Sequence, residues 1–422
     1  MPSDDTNQTA DQLSSIAPVA QLVVTGLFGH REPITVATNF ANSNLAIFYG
    51  ENGVGKTTLL RILYYLLAPE PNRGHRTNLF KLPFKTAKVI LSDGTEIEAL
   101  RSENGEPPHY VKLQSDKKSY SVAYVSNGAG GVMALDTETL AAMTRRVPAV
   151  FFLPDDRRIH KPEAVPGMLS RFVESEGSHV DRSDLETAIH EVNREIERSM
   201  WASNRKSEQS VHSVYKQIIT TLAQTPSSKY FDDDVATRLT EISDRTKQFS
   251  RFGLTSRVNL SSLFRPLEDS PPETTSLALQ ILQPYVDGLQ KKLDALSPLY
   301  ESLSKMIIHL NTFFSDKTID YTFKKGLVVI SKKTEEPLDV NVLSSGEKQI
   351  LLLFCKVFLS RKRPSLVLID EPELSLNVIW QRHLLKDLLD CMSSTHAKLL
   401  IASHSPDLIG EYLENVVRIS HD

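Results

Sequence analysis

Four short runs carry side chains whose types and spacing suit the handling of a phosphate chain. Gly50-Glu51-Asn52-Gly53-Val54-Gly55-Lys56-Thr57 follows the pattern G-x-x-x-x-G-K-[ST] in full. Its glycines let the backbone wrap phosphates closely, so that successive N–H groups and a helix N-terminus face negative charge. Lys56 is placed to reach β- and γ-phosphates, and the Thr57 hydroxyl to hold Mg²⁺. Gly50, Asn52, Gly53, Gly55, Lys56, Thr57 and Thr58 are therefore the expected contacts of a nucleotide. Ser365 to Pro372 is an apolar strand that ends in two carboxylates. Asp370 stands where Mg²⁺ needs a further ligand, and Glu371 where an attacking water must be polarised or deprotonated. His404 lies just beyond the apolar run Lys398 to Ala402 and can donate to a γ-phosphate. Leu343-Ser344-Ser345-Gly346-Glu347-Lys348-Gln349 opens a helix whose positive end offers the Ser344 hydroxyl and the Gly346 backbone.

These groups need strands and helices to aim them. Gln21 to Gly26 reads as a first strand, and Leu45 to Tyr49 as a short buried one that delivers the chain to Gly50. The following helix covers about Lys56 to Leu67 and is stopped by Pro69 and Pro71. Lys88 to Leu100, turned at Asp93-Gly94, and Tyr110 to Tyr124 read as strands, as does Val150 to Leu153.

From about His160 to Asp316 the pattern is helical. Ser183 and Glu186 have capping-box spacing ahead of a helix through Leu185, Ile189, Val192, Ile196 and Met200. Val211 to Leu222 suggests a second helix and Val235 to Phe249 a third. Leu289 to Phe314 repeats apolar residues in steps of four and three, a seam about 39 Å long with Pro298 expected to kink it. A helical subdomain packed on itself fits this better than a long protruding arm. Strand character returns at Tyr321 to Phe323 and Leu327 to Ile330. Helices are expected after Ser344 and over Val378 to Cys391, with strands at Leu366 to Ile369 and Lys398 to Ala402.

Composition excludes several classes. At 422 residues the chain can bury a large core, and its net charge of −4 provides no global basic field. Cys355 and Cys391 lie in apolar stretches and read as buried thiols of a reducing compartment. The longest apolar run, Ile350 to Leu359, is too short for a bilayer and contains Lys356. Residues 1–18 are polar and read as disordered rather than as a leader, so no membrane association is expected and the cytoplasm is. One basic cluster, Arg73, Arg76, Lys81, Lys85 and Lys88, has no acid between its members and can meet nucleic-acid phosphates.

The motifs occur in the order phosphate loop, Leu-Ser-Ser-Gly-Glu, acidic strand end, histidine. Together they resemble ABC-type ATPase heads of the SMC, RecF and OLD-like group. The resemblance implies an α/β phosphate-loop NTPase fold with an inserted, short coiled-coil-like helical subdomain. Its implied divisions are a first head lobe at 19–159, the insertion at 160–316 and a second head lobe at 317–422. It also implies ATP and Mg²⁺ as cofactors, and a homodimer or larger oligomer in which Ser344 and Gly346 serve the ATP of another subunit. The long separation of Lys56 from Ser344 agrees with this group better than with transporter ATPases.

Glu373-Leu374-Ser375-Leu376-Asn377 resembles the D-loop, and the wording around it resembles ATPases of bacterial antiphage systems, the Septu and retron PtuA-like and PARIS AriA-like proteins. That implies a sensor or scaffold controlling a separately encoded effector such as a nuclease, with DNA or a phage protein as trigger. OLD proteins carry a fused Toprim nuclease after these motifs, where this sequence has few residues. The Q-loop glutamine has no counterpart, since Phe151 to Arg158 stands in its place. A RecF-type repair ATPase is the alternative, and a transporter subunit a weaker one.

Overall fold

The computed structural model describes residues 16–68, 74–116, 118–128, 130–154, 184–203, 233–256, 272–362 and 365–419. The chain divides into two compact units, residues 1–187 with 344–422, and residues 188–343.

The first unit holds two sheets. Strands β1 (Val19–Thr25), β2 (Ile34–Ala37), β4 (Thr86–Leu91), β5 (Glu96–Leu100), β6 (His109–Ser115), β7 (Lys118–Ser126) and β8 (Val132–Ala134) form an antiparallel sheet. Their order is β2-β1-β4-β5-β6-β7-β8. Burial alternates along β4 and β6, as it must when one face meets the core and the other faces outward. Asp93-Gly94 makes the expected turn, with Gly94 at φ 82 and the Asp93 carboxylate accepting from Thr95 N at 2.9 Å. The run Tyr110 to Tyr124 is not one strand but a hairpin, β6 and β7, paired through Ser115 and Lys118.

The second sheet is parallel throughout. It contains β3 (Leu45–Tyr49), β9 (Ala149–Leu153), β13 (Ser365–Asp370), β14 (Ala397–Ser403) and β15 (Val416–Arg418) in the order β15-β3-β14-β13-β9. All six residues of β13 are buried, which is why its sequence reads as an unbroken apolar run instead of an alternation. Helix α1 (Lys56–Leu67) is buried nearly all round, through Leu59, Leu60, Ile62, Leu63, Leu66 and Leu67 among others. It shares one core with both sheets, among them Val24, Val89, Val111, Leu368 and Leu400. Helices α2 (His75–Lys81) and α3 (Thr137–Thr144) flank the antiparallel sheet; α7 (Ser345–Leu359), α8 (Val378–Met392) and the short α9 (Pro406–Ile409) accompany the parallel one.

The second unit has helix α4 over residues 184–203, of which those from 188 onward belong to it, then α5 (Asp233–Arg251) and α6 (Pro272–Phe313). A small antiparallel sheet, β10 (Lys317–Thr322), β11 (Gly326–Ser331) and β12 (Pro337–Leu338), completes it. The expected seam is used: Leu293, Leu296, Leu303, Ile307 and Leu310 are buried. Arg238 pairs with Asp287 at 2.7 Å, Arg245 with Asp294 at 2.8 Å, and Phe249 stacks on Tyr300 at 4.6 Å. Partners advance together along both helices, so α5 and α6 run parallel. Helix α6 stays helical through Pro284 and Pro298. The division at 343/344 places β10 to β12 with the helices, whereas the sequence suggested a boundary near 316. The helix expected over Val211 to Leu222 lies outside the described residues, as do residues 155–158 of the Q-loop region.

Candidate functional site

The parallel order brings the phosphate-handling groups to one edge. β3 leads into Gly50, its neighbour β14 into His404, and the next strand β13 into Asp370 and Glu371. Ligands of open parallel sheets bind at such carboxyl ends. At Gly50 a Cβ would come within 2.6 Å of the Ile419 carbonyl oxygen, so only glycine lets the loop leave β3 here. Gly53 and Gly55 both adopt φ 89, a left-handed conformation that costs glycine little. Lys56 is 5% exposed, and its ammonium donates to the carbonyls of Gly50 at 2.7 Å and Glu51 at 2.9 Å. The loop therefore already curls around a positive charge. Glu51 and Asn52 are exposed at its rim, and Thr57 and Thr58 are half-buried in the first turn of α1.

Asp370 is 2% exposed at the end of β13. Glu371 follows with φ 45, a strained value for a residue with a side chain, and its N–H donates to Ala402 O at 2.9 Å. That bond fixes the strand end against β14. The His404 Nδ1 lies 3.6 Å from Glu371 Oε1 and 3.4 Å from Glu373 Oε1. Glu371, His404 and Glu373 thus form one cluster, in which the His404 ring is half-exposed.

Glu373 is a residue whose role the sequence did not signal, since its segment read only as a D-loop. It is 6% exposed. One of its oxygens accepts from Ser403 Oγ at 2.6 Å, His404 N at 3.0 Å and Ser405 N at 3.2 Å. Gln381 of α8 adds a second tie, accepting from Ser405 Oγ at 2.8 Å while donating to Leu376 O at 2.9 Å. The turn after the acidic strand end is in this way laced to the backbone that carries His404.

The Ser344 corner is a capping box. Ser344 Oγ accepts from Glu347 N at 3.3 Å, and Glu347 Oε2 accepts from Ser344 N at 2.8 Å. A hydroxyl that accepts from its own helix keeps its O–H to donate elsewhere. Ser344 and Ser345 are exposed. Gly346 is buried, and a Cβ there would sit 2.6 Å from Ser375 O. Gln349 donates to Pro372 O at 2.9 Å. The start of α7 is therefore clamped onto the turn that comes after Glu371.

A second residue without a signal in the sequence is Phe28. It follows β1 with φ 51, is 51% exposed, and its ring comes within 3.5 Å of where a Cβ on Gly55 would be. An aromatic face at the mouth of the loop offers a stacking surface. No periodicity marks a lone aromatic in a loop; only the fold brings it here.

Two members of the basic cluster already have partners within the fold. Arg76 is 9% exposed, donating to Tyr65 O and to Tyr124 Oη, and Lys88 pairs with Glu96 at 3.0 Å. Lys81 and Lys85 are exposed, and Arg73 lies outside the described residues. Arg76 is thus a structural cation tying α2 to α1 and β7. Arg76→Ala is expected to lower stability by about 1–3 kcal/mol, read as a shift of the urea midpoint. An unchanged midpoint would show that its buried bonds contribute nothing.

A hydroxyl at Thr57 and a carboxylate at Asp370 are the hard oxygen donors that Mg²⁺ takes, with phosphate oxygens completing its shell. With the glycine-lined loop and the Lys56 charge, the residues fit a magnesium nucleotide. The class that this fold and site define is an ATPase domain. The family model described as AAA ATPase domain matches residues 35–409, and the chain belongs to that family. No curated protein matches it.

Among solved structures, one that it resembles is the Smc head domain with an extended coiled coil bound to the C-terminal domain of ScpA, derived from Pyrococcus furiosus. The identity is 14%, over 96% of this chain and 94% of that one, with a TM-score of 0.42. Another is the SMC head domain from Thermotoga maritima, at 9% identity over 96% and 95% of the two chains and a TM-score of 0.37. Likenesses this remote say nothing about activity. Among the described residues no helix is long and apolar enough to cross a membrane.

Proposed function

We propose that the chain is an ABC-type ATPase that closes two subunits on shared ATP and thereby signals to a separately encoded effector. The observation that carries the proposal is the clamp between α7 and the turn after Glu371. Gly346 lies against Ser375 O and Gln349 binds Pro372 O, while Ser344 and Ser345 stay exposed. A signature corner exposed in this way can donate to phosphates held by another copy, and the clamp carries that engagement to Glu371. Val378 and Ile379, 46% and 70% exposed on the first turn of α8, give the same surface an apolar component.

Within each subunit, Lys56 and the loop N–H groups bind the phosphates and Phe28 supports the base. Thr57 and Asp370 would hold Mg²⁺, which when bound would neutralise charge on the phosphate oxygens. Glu371 takes the proton of the attacking water, and His404 donates to the γ-phosphate. The motif wording around Asp370 supports placing the effector in an antiphage system, with a nuclease as its chemistry and DNA or a phage protein as trigger.

The test is a cross-link between chains. In a Glu371→Gln background, Ser344→Cys on one copy and Asn52→Cys on another should join only when ATP is present. Both native cysteines are buried and should not compete. Mixing Ser344→Arg with Lys56→Ala subunits should likewise restore turnover that neither variant shows alone. Cross-links confined to one chain, or formed equally without nucleotide, would remove the shared site. The effector arm is tested separately, by whether the product of the neighbouring reading frame co-purifies with the ATP-trapped form.

A further inference from the structure

The second unit contains a cleft of about 620 Å³ between the last turn of α5, α6 and the β10–β11 hairpin. Among the described residues its lining includes Arg251, Lys292, Lys324 and Lys325 and no acidic residue. None of the four pairs with a carboxylate among the described residues, whereas Arg238 and Arg245, earlier on α5, are both matched by aspartates of α6. The nearby Glu197 acts on Tyr321 beneath the hairpin and does not line the cleft. Four like charges around one hollow repel one another, and an anion between them relieves that repulsion.

The hairpin tip that brings two of these charges is fixed by tight packing. Gly253, at φ 69, lies so close to the tip that a Cβ would be 2.7 Å from Phe323 Cβ. Gly326, at φ 71, faces Asn193, whose Oδ1 accepts from Leu327 N at 3.0 Å. Tyr321, 1% exposed, anchors the strand below. The tip nevertheless presents Phe323, 50% exposed, between the cations. Ser250, Thr255, Ser256 and Thr322 add hydroxyls to the rim. Cations beside a half-open aromatic face suit a ligand that is anionic on one side and planar on the other. Nucleotides have this chemistry, with phosphate met by Lys and Arg and the base laid on a ring.

We propose that this cleft binds nucleotide units, phosphate against Arg251, Lys292, Lys324 and Lys325 and base against Phe323. The inference stands apart from the ATP site and from the Arg73 to Lys88 cluster. Its ligand is a single strand of nucleic acid or a free nucleotide, which share these two features.

The experiment measures anisotropy of a dye-labelled twelve-residue oligothymidylate on the full chain, with ADP and Mg²⁺ saturating. Binding should weaken steeply as salt rises. Lys324→Glu with Lys325→Glu should weaken it about tenfold and flatten the salt dependence. Phe323→Ala should weaken it at least about fivefold with the salt slope kept. All three positions are exposed, so melting temperatures should hold, and Lys324→Arg should keep affinity. Displacement of the label by AMP identifies a free nucleotide as the ligand, and displacement by unlabelled strand alone identifies the strand. Absence of wild-type binding, or binding indifferent to charge reversal, overturns the proposal. So does displacement by pyrophosphate as effective as by any nucleotide, with Phe323→Ala silent.

Discussion

Lys56→Ala is expected to lose about 2–5 kcal/mol of ATP affinity, the usual cost of truncating one partner of a buried, hydrogen-bonded charge pair. Glu371→Gln is expected to keep ATP affinity and to lower turnover by about 10²–10⁴-fold, the share general-base catalysis commonly supplies. The two effects separate because the residues touch different ends of the nucleotide. The Lys56 ammonium lies inside the glycine-lined loop, on the Gly50 and Glu51 carbonyls, where on the proposed reading a phosphate chain would meet it. Glu371 stands outside the loop at the end of β13, turned by its φ of 45 and facing the His404 ring. Its amide variant has the same size and leaves the loop untouched. Filter retention of labelled ATP and phosphate release, measured on both variants, give the answer. Normal hydrolysis by Glu371→Gln would mean that another group takes the proton.

How much of the fold and site was readable from residues alone depends on how local each cause is. The shape of the Gly50 to Lys56 loop was, because glycines at Gly50, Gly53 and Gly55 impose it with little help from the rest of the chain. The same holds for the helix start at Ser344, whose capping box, found in the structure, closes within three residues. The strand order β15-β3-β14-β13-β9 was not, since parallel neighbours meet across long stretches of sequence and leave no turn signal. Arg76 misled for a related reason. Its burial depends on Tyr65 and Tyr124, and nothing in residues 72–88 records where those lie. The unmatched cations of the second unit escaped notice likewise, because Arg251, Lys292 and Lys324 come from three separate elements.

Glu373 carries the second large expectation. Its oxygen accepts from Ser403, His404 N and Ser405 N at once, so it sets the backbone on which the His404 ring rides. Its contacts are with the backbone and side chains around His404, so on the proposed reading it would act on the reaction only through His404. Glu373→Gln can retain those three bonds through its carbonyl oxygen. The other Glu373 oxygen, however, is buried with no hydrogen-bond partner among the described residues. An amide NH₂ in that place is an unsatisfied buried donor, costing about 1–3 kcal/mol, and it gives the segment reason to shift. A displacement of about 1 Å at a reacting centre commonly costs about a hundredfold in rate. Turnover by Glu373→Gln should therefore fall by about ten- to a hundredfold, while the KM for ATP and ATP retention stay near wild type. His404→Ala should lower turnover similarly, and adding Glu373→Gln to it should cost little more, because both changes act through one ring. If the two losses multiply in the double variant, Glu373 has a role of its own and the positioning account fails.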